Sequence, residues 1–295
     1  MGGGVIVDAH HHLWRPERGY TWLDAPGLEA IRRTFTPADL VAELAAAGFT
    51  ATVLVEGGRC HPDEAAEFLG HAAGTPAIAG VVAWADPADP DLAATLAGYR
   101  SLRGGDRLVG VRSQVQGDPD PDHLDRPDVR RGLATIAAAG LVFDLVIRAD
   151  QLPSAARAAR ALPELSLVLD HCGKPRIDAG EAGLRSWRGP FADLAAQANV
   201  TCKLSGLVTE AGPGWTAADL RPFVAVAVAE FGASRLMFGS DWPVCLLAAD
   251  YGGVLRALDE ALPPLPGPDR HEIPAGTATR VYRLADRIDP EGAAA

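Results

Sequence analysis

No apolar stretch of roughly eighteen residues occurs in the chain, so a membrane-spanning helix is not expected. Cysteine is scarce. Cys60, Cys172, Cys202 and Cys245 form no C-x-x-C pair and no short regular spacing, which argues against a zinc knuckle or a disulfide framework. Basic residues are in deficit, with 27 Lys and Arg against 38 Asp and Glu and a net charge of −11. Nucleic acid and anionic membranes reward the opposite sign, so neither is an expected partner. A few local Arg or Lys side chains can still hold an anionic small molecule. The opening MGGGVIVDAHHHLW has no basic segment leading into a long apolar run. A secretory signal is therefore not expected, and the unpatterned cysteines fit a reducing cytoplasmic setting. No glycine-rich fingerprint follows the first apolar run, which disfavours a doubly wound dinucleotide fold.

What is present is a regular alternation. About half of the 295 residues are apolar (48%), enough for a large core. Short apolar runs predict eight strands: Val5–Ala9, Ala51–Val55, Ala79–Trp84, Leu108–Arg112, Val142–Ile147, Ser166–Asp170, Thr201–Ser205 and Arg235–Gly239. Most are nearly continuous in apolar character, as in a parallel sheet covered on both faces. Helical stretches with start and stop signals lie between them. Thr36-Pro37-Ala38-Asp39 and Thr216-Ala217-Ala218-Asp219 each offer a capping Thr and an acid in the first turn, with Gly48 and Gly232 as stops. Asp150 offers a cap for the helix that Pro163 ends. Eight such units predict one closed α/β barrel, the (β/α)₈ TIM fold, as a single domain over residues 1–295. Residues 1–4 and 288–295 read as loose termini.

Chemistry-bearing residues gather at predicted strand ends. Side chains alternate along a strand, so His10 and His12 share one face and His11 takes the other. Two imidazoles at the mouth of a barrel suit a metal or the polarisation of a carbonyl; solvated histidines at a polar strand end are the plain alternative. Asp241 lies just past the eighth strand, which closes the barrel against the first. Topology therefore brings Asp241 toward His10 and His12, where a carboxylate can accept a proton from water or bind a metal. A helix cap is its alternative role. His171 follows the sixth strand, with a backbone-satisfied core histidine as the alternative. Arg112, Asp144, Lys203, Glu56 and Trp84 stand in or at the ends of other strands. Each is either a substrate contact or a structural barrel residue. Asp144 interrupts an apolar run and needs a buried partner, and a pair with Arg112 would satisfy both. His61, His71, His123 and His271 read as surface residues.

The segments DAHHHLW (8–14), IAGVVAWAD (78–86), LVGVRSQ (108–114), FDLVI (143–147), LVLDHCGKP (167–175), TCKLSGLVTEA (201–211) and RLMFGSDWPVC (235–245) span nearly the whole chain. Together they resemble the amidohydrolase superfamily, and within it the amidohydrolase-2 group that contains sugar-acid lactonases. The resemblance implies a TIM barrel and attack of water on a lactone carbonyl. It implies Asp241 as the water-activating base, with His10, His12 and His171 around the carbonyl oxygen or a metal. Binuclear members use a carboxylated Lys and a further His on the middle strands. Arg112 and Asp144 stand there instead, which points away from a binuclear centre. The resemblance leaves open one Zn²⁺ or other divalent ion on His10, His12 and Asp241, with or without His171, and equally a metal-independent enzyme. Glu56 stands where related lactonases often carry Gln. A metal-dependent non-oxidative decarboxylase of the same barrel group is the alternative activity, and a non-catalytic sugar-acid-binding barrel the alternative class. The expected partner is a small sugar-acid lactone. A homo-oligomer is compatible with the sequence, which carries no interface signature.

Overall fold

The computed structural model describes residues 5–288. Its eight strands are β1 (Val7–His11), β2 (Ala51–Val55), β3 (Ile78–Trp84), β4 (Leu108–Ser113), β5 (Val142–Leu145), β6 (Leu167–Leu169), β7 (Val200–Leu204) and β8 (Leu236–Phe238). They are parallel and pair in sequence order. The ring closes between β8 and β1 just beyond the β8 ladder. Asp241 N–H donates to His10 C=O at 2.9 Å, and His12 N–H donates to Trp242 C=O at 2.7 Å. The fold is the expected (β/α)₈ barrel.

The crossovers carry helices α1 (Pro37–Ala47), α2 (Pro62–Gly74), α3 (Leu92–Ser101), α4 (Pro127–Ala138), α5 (Leu152–Ala161), α6 (Gly180–Ala195), a short α7 (Leu207–Glu210), α8 (Ala217–Phe231) and α9 (Tyr251–Ala261). Capping boxes start α1 and α8 through Thr36–Asp39 and Thr216–Asp219, as their sequence patterns predict. Asp150 does not cap α5. It pairs with the Arg148 guanidinium, and the Gln151 side chain accepts from Arg148 N–H instead.

Most strands lie within one or two residues of the sequence expectation. The first is displaced, to Val7–His11, because backbone bonds from the β8 loop extend the ladder past Ala9. The fifth stops at Leu145, and the Val146 carbonyl leaves the ladder to accept from Gln116 N–H. Apolar strand faces pack against the helices in one large core. A second cluster around Val53, Val82, Val168, Met237, Tyr282 and Leu284 fills the end of the barrel opposite the site. Ile288 packs against this cluster, so that residue is not loose. Residues 1–4 and 289–295 of the expected loose ends lie outside the described part. Among the described residues, no helix is long and apolar enough to cross a membrane.

Candidate active site

The C-terminal ends of the strands bring His10, His12, His171 and Asp241 together, all buried. His10 Nε2 and His12 Nε2 are 3.1 Å apart. Asp241 Oδ1 lies 3.6 Å from the first and 3.4 Å from the second. The His171 ring stands edge-on to His10, with centroids 4.6 Å apart, and its Nδ1 is 2.9 Å from Ser205 Oγ. His12 Nδ1 donates to the Val55 carbonyl at 2.9 Å, which leaves the Nε2 lone pair free to face the cluster. His11 turns away, as alternation requires, to Thr52 Oγ1 at 2.7 Å.

Backbone strain collects at these strand ends. Asp241 (φ 57°), His171 (φ 53°) and Lys174 (φ 52°) adopt the left-handed region, which costs a non-glycine residue about 1–3 kcal/mol. The backbone bond from Asp241 to His10 helps to hold the first. Glycine is required beside them. A Cβ on Gly206 (φ 62°) would lie 2.5 Å from His171 Nδ1, and one on Gly239 would lie 2.6 Å from His10 Cβ.

Beneath the histidines is a layer of charge. Arg112 Nε donates to Glu56 Oε1 at 2.6 Å, and Nη1 donates to Asp170 Oδ2 at 2.9 Å. Lys203 Nζ lies 2.5 Å from Asp144 Oδ2, 3.0 Å from Asp170 Oδ1 and 3.0 Å from His10 Nδ1. Tyr282 OH donates to the Asp144 carboxylate at 2.9 Å. The Arg112–Asp144 pair does not form, although the two are register neighbours. Successive layers of a parallel barrel draw on alternate strands. Arg112 of β4 therefore reaches the ends of β2 and β6, and Asp144 of β5 reaches β7.

Burial sets the protonation states. It drives His10 well below the ordinary imidazole value, with Lys203 adding to the effect, and brings His171 down to about 4. Both rings are thus neutral at pH 7. Burial raises Asp144 to about 6 against the pull of Lys203. For Asp241, burial pushes upward, but His171, His12 and His10 outweigh it and hold the carboxyl below its ordinary range.

A cavity of about 350 Å³ opens onto this floor, lined by His12, His171, Asp241, Arg112, Lys174, Gln114, Gln116 and Trp22, among others. Glu56, Asp144 and Lys203 lie behind its wall, with no exposed surface. Trp84 is half-buried outside the lining, and its carbonyl accepts from Tyr99 OH. Sequence reasoning missed Asp170, which links Arg112, Lys203 and His10. The signal was available: like Asp144, it is a carboxylate at an apolar strand. Gln114 and Trp22 carried no comparable signal. Trp22 is held at the cavity by its Nε1, which donates to Gly57 C=O, and by its ring, edge-on to Trp14.

The sequence profile of the amidohydrolase family matches residues 7–284. The chain belongs to this family. Among its relatives is an L-fucono-1,5-lactonase of Burkholderia multivorans, 38% identical over 97% of this chain and 99% of that protein. Another L-fucono-1,5-lactonase, of Burkholderia ambifaria, is 36% identical over 94% of this chain and 95% of that protein. Crystal structures of an amidohydrolase from Burkholderia multivorans, one with HEPES and one with zinc bound, superpose with a TM-score of 0.88 at 37% identity. They cover 95% of this chain and 100% of the other.

The donor set of this amidohydrolase fits a metal ion. A tetrahedron around zinc with ligand bonds of about 2.0–2.1 Å has edges of roughly 3.3–3.4 Å. The three separations among His10 Nε2, His12 Nε2 and Asp241 Oδ1 are 3.1, 3.4 and 3.6 Å. The Val55 carbonyl on the far nitrogen of His12 is the outer-sphere partner such a ligand needs. Carboxylates also outnumber permanent cations around the floor, where Glu56, Asp144, Asp170 and Asp241 face Arg112 and Lys203. A divalent cation would offset that excess.

Proposed function

We propose that this amidohydrolase opens a sugar-acid lactone, of the 1,5-aldonolactone type, to the hydroxy acid. The observation that carries the reading is the convergence of the Asp241 carboxylate on His10 and His12, at 3.6 and 3.4 Å, on the floor of a cavity of sugar size. The curated lactonases at 36–38% identity support it and weigh against decarboxylation.

Attack of water on a lactone carbonyl needs a proton acceptor and a place for negative charge on the oxygen. Asp241 is ionised at neutral pH and takes the proton, a contribution of about 10²- to 10⁴-fold. His171 is neutral and lies against His10, so it is placed to donate to the carbonyl oxygen. His10, His12 and Asp241 would hold a divalent metal, zinc by the chemistry of the donors, and such an ion supplies Lewis-acid polarisation of the carbonyl when bound. Arg112 is fixed at the wall by Glu56 and Asp170 and orients rather than reacts. Gln114, held by Glu56, faces substrate hydroxyls.

The test is acid release from a panel of sugar-acid lactones, with purified and chelator-treated enzyme and a metal assay. Rapid release from a 1,5-aldonolactone, lost on chelation and restored by Zn²⁺, is the expected result. Release that survives metal removal would restrict carbonyl polarisation to the histidines. No release from any lactone would overturn the reading.

A further inference from the structure

Lactone opening has a second half. When the acyl C–O bond breaks, its electron pair goes to the ring oxygen. An alkoxide is a poor leaving group unless it is protonated as it departs. The carbonyl oxygen belongs with the histidines and the attacking water with Asp241. The ring oxygen, on the same tetrahedral carbon, must face the rest of the cavity wall.

That wall offers few proton donors. Gln114 and Gln116 are amides and do not ionise. Arg112 spends its donors on Glu56 and Asp170, and a guanidinium does not give up a proton. Lys174 differs. Its side chain lines the cavity and remains 28% exposed, so it stands nearer the mouth than Asp241, which is 5% exposed. Its nearest carboxylate, Glu210 Oε1 on α7, is 3.8 Å away, beyond hydrogen-bond range. The ammonium is thus held in place by charge while its N–H donors stay available. Its left-handed backbone fixes the turn after His171.

We infer that Lys174 is the general acid that protonates the ring oxygen of the departing alkoxide. This rests on the lactonase reading above. Asp241 takes one proton from water as the C–O bond to the nucleophile forms. Lys174 gives one to the ring oxygen as the ring C–O bond breaks and becomes a neutral amine. Solvent at the mouth returns a proton to the amine and accepts the one on Asp241. The sum is lactone plus water to hydroxy acid.

The test compares a sugar 1,5-lactone with its ring-sulfur analogue, whose thiolate leaves without protonation. Lys174→Met should lower kcat on the oxygen lactone by about 10²-fold or more, and on the sulfur analogue only several-fold. Lys174→Arg keeps the charge and should preserve KM without restoring kcat. Equal losses on both rings, or recovery of kcat by Lys174→Arg, overturn the proposal. Should wild-type enzyme open only the oxygen lactone, the Lys174→Arg result decides alone. Wild-type enzyme that opens no lactone refutes the hydrolase reading, and the proposal falls with it. Circular dichroism of each variant confirms the fold.

Discussion

Lys203 and His10 are 193 residues apart in sequence, yet Lys203 Nζ meets His10 Nδ1 at 3.0 Å inside the barrel. The same ammonium holds Asp144 and Asp170 at 2.5 and 3.0 Å. It is a keystone under the histidine floor, with no exposed surface. Lys203→Met should therefore leave two buried carboxylates short of a cation. Breaking a buried pair costs about 3–5 kcal/mol. Urea unfolding at pH 7 should show a loss of that size, and a loss below about 1 kcal/mol would mean that Arg112 alone neutralises the layer.

Gly206 tests the precision of the floor. An added Cβ would meet His171 Nδ1 at 2.5 Å, in a backbone conformation that disfavours any side chain. Gly206→Ala should push the imidazole off its position and cost about 10-fold or more in kcat, with about 1–3 kcal/mol of stability. Steady-state kinetics beside thermal melting separates the two. Normal kcat in a folded variant would remove His171 from the chemistry.

The meeting of Asp241 with His10 and His12 was legible in the sequence, because eight apolar runs imply closure of the eighth strand on the first. The partners of Arg112 were not. Pairing by sequence adjacency suggests Asp144 on the next strand, and the register does place them side by side. Which side chains meet across the interior depends on layering from alternate strands, and that emerges only once tilt and stagger are fixed. Asp170 stood out as a carboxylate at an apolar strand, but its partners did not, because β4, β7 and β1 point at it together only in the folded barrel. Trp22 was out of reach because a loop-to-loop bond places it.

Glu64 gives the protein a pH signature away from the chemistry. Burial, with Glu56 nearby, raises its carboxyl to about 8. The folded state keeps this proton between about pH 4.5 and 8, while the unfolded chain releases it. Stability therefore falls as pH rises through that window. Glu64→Gln mimics the protonated form and should flatten the decline in Tm between pH 5 and 8. An unchanged slope would mean that Glu64 is ionised in the folded protein.

The most direct test of the account is the turnover of Asp241→Asn on a 1,5-aldonolactone at pH 7, followed by acid release with zinc content and circular dichroism measured on the same sample. The substitution preserves shape and removes the carboxylate 3.4 Å from His12 that is proposed as the proton acceptor. A folded protein with kcat lowered by about 10²- to 10⁴-fold is the expected result. A folded variant with wild-type kcat would contradict it.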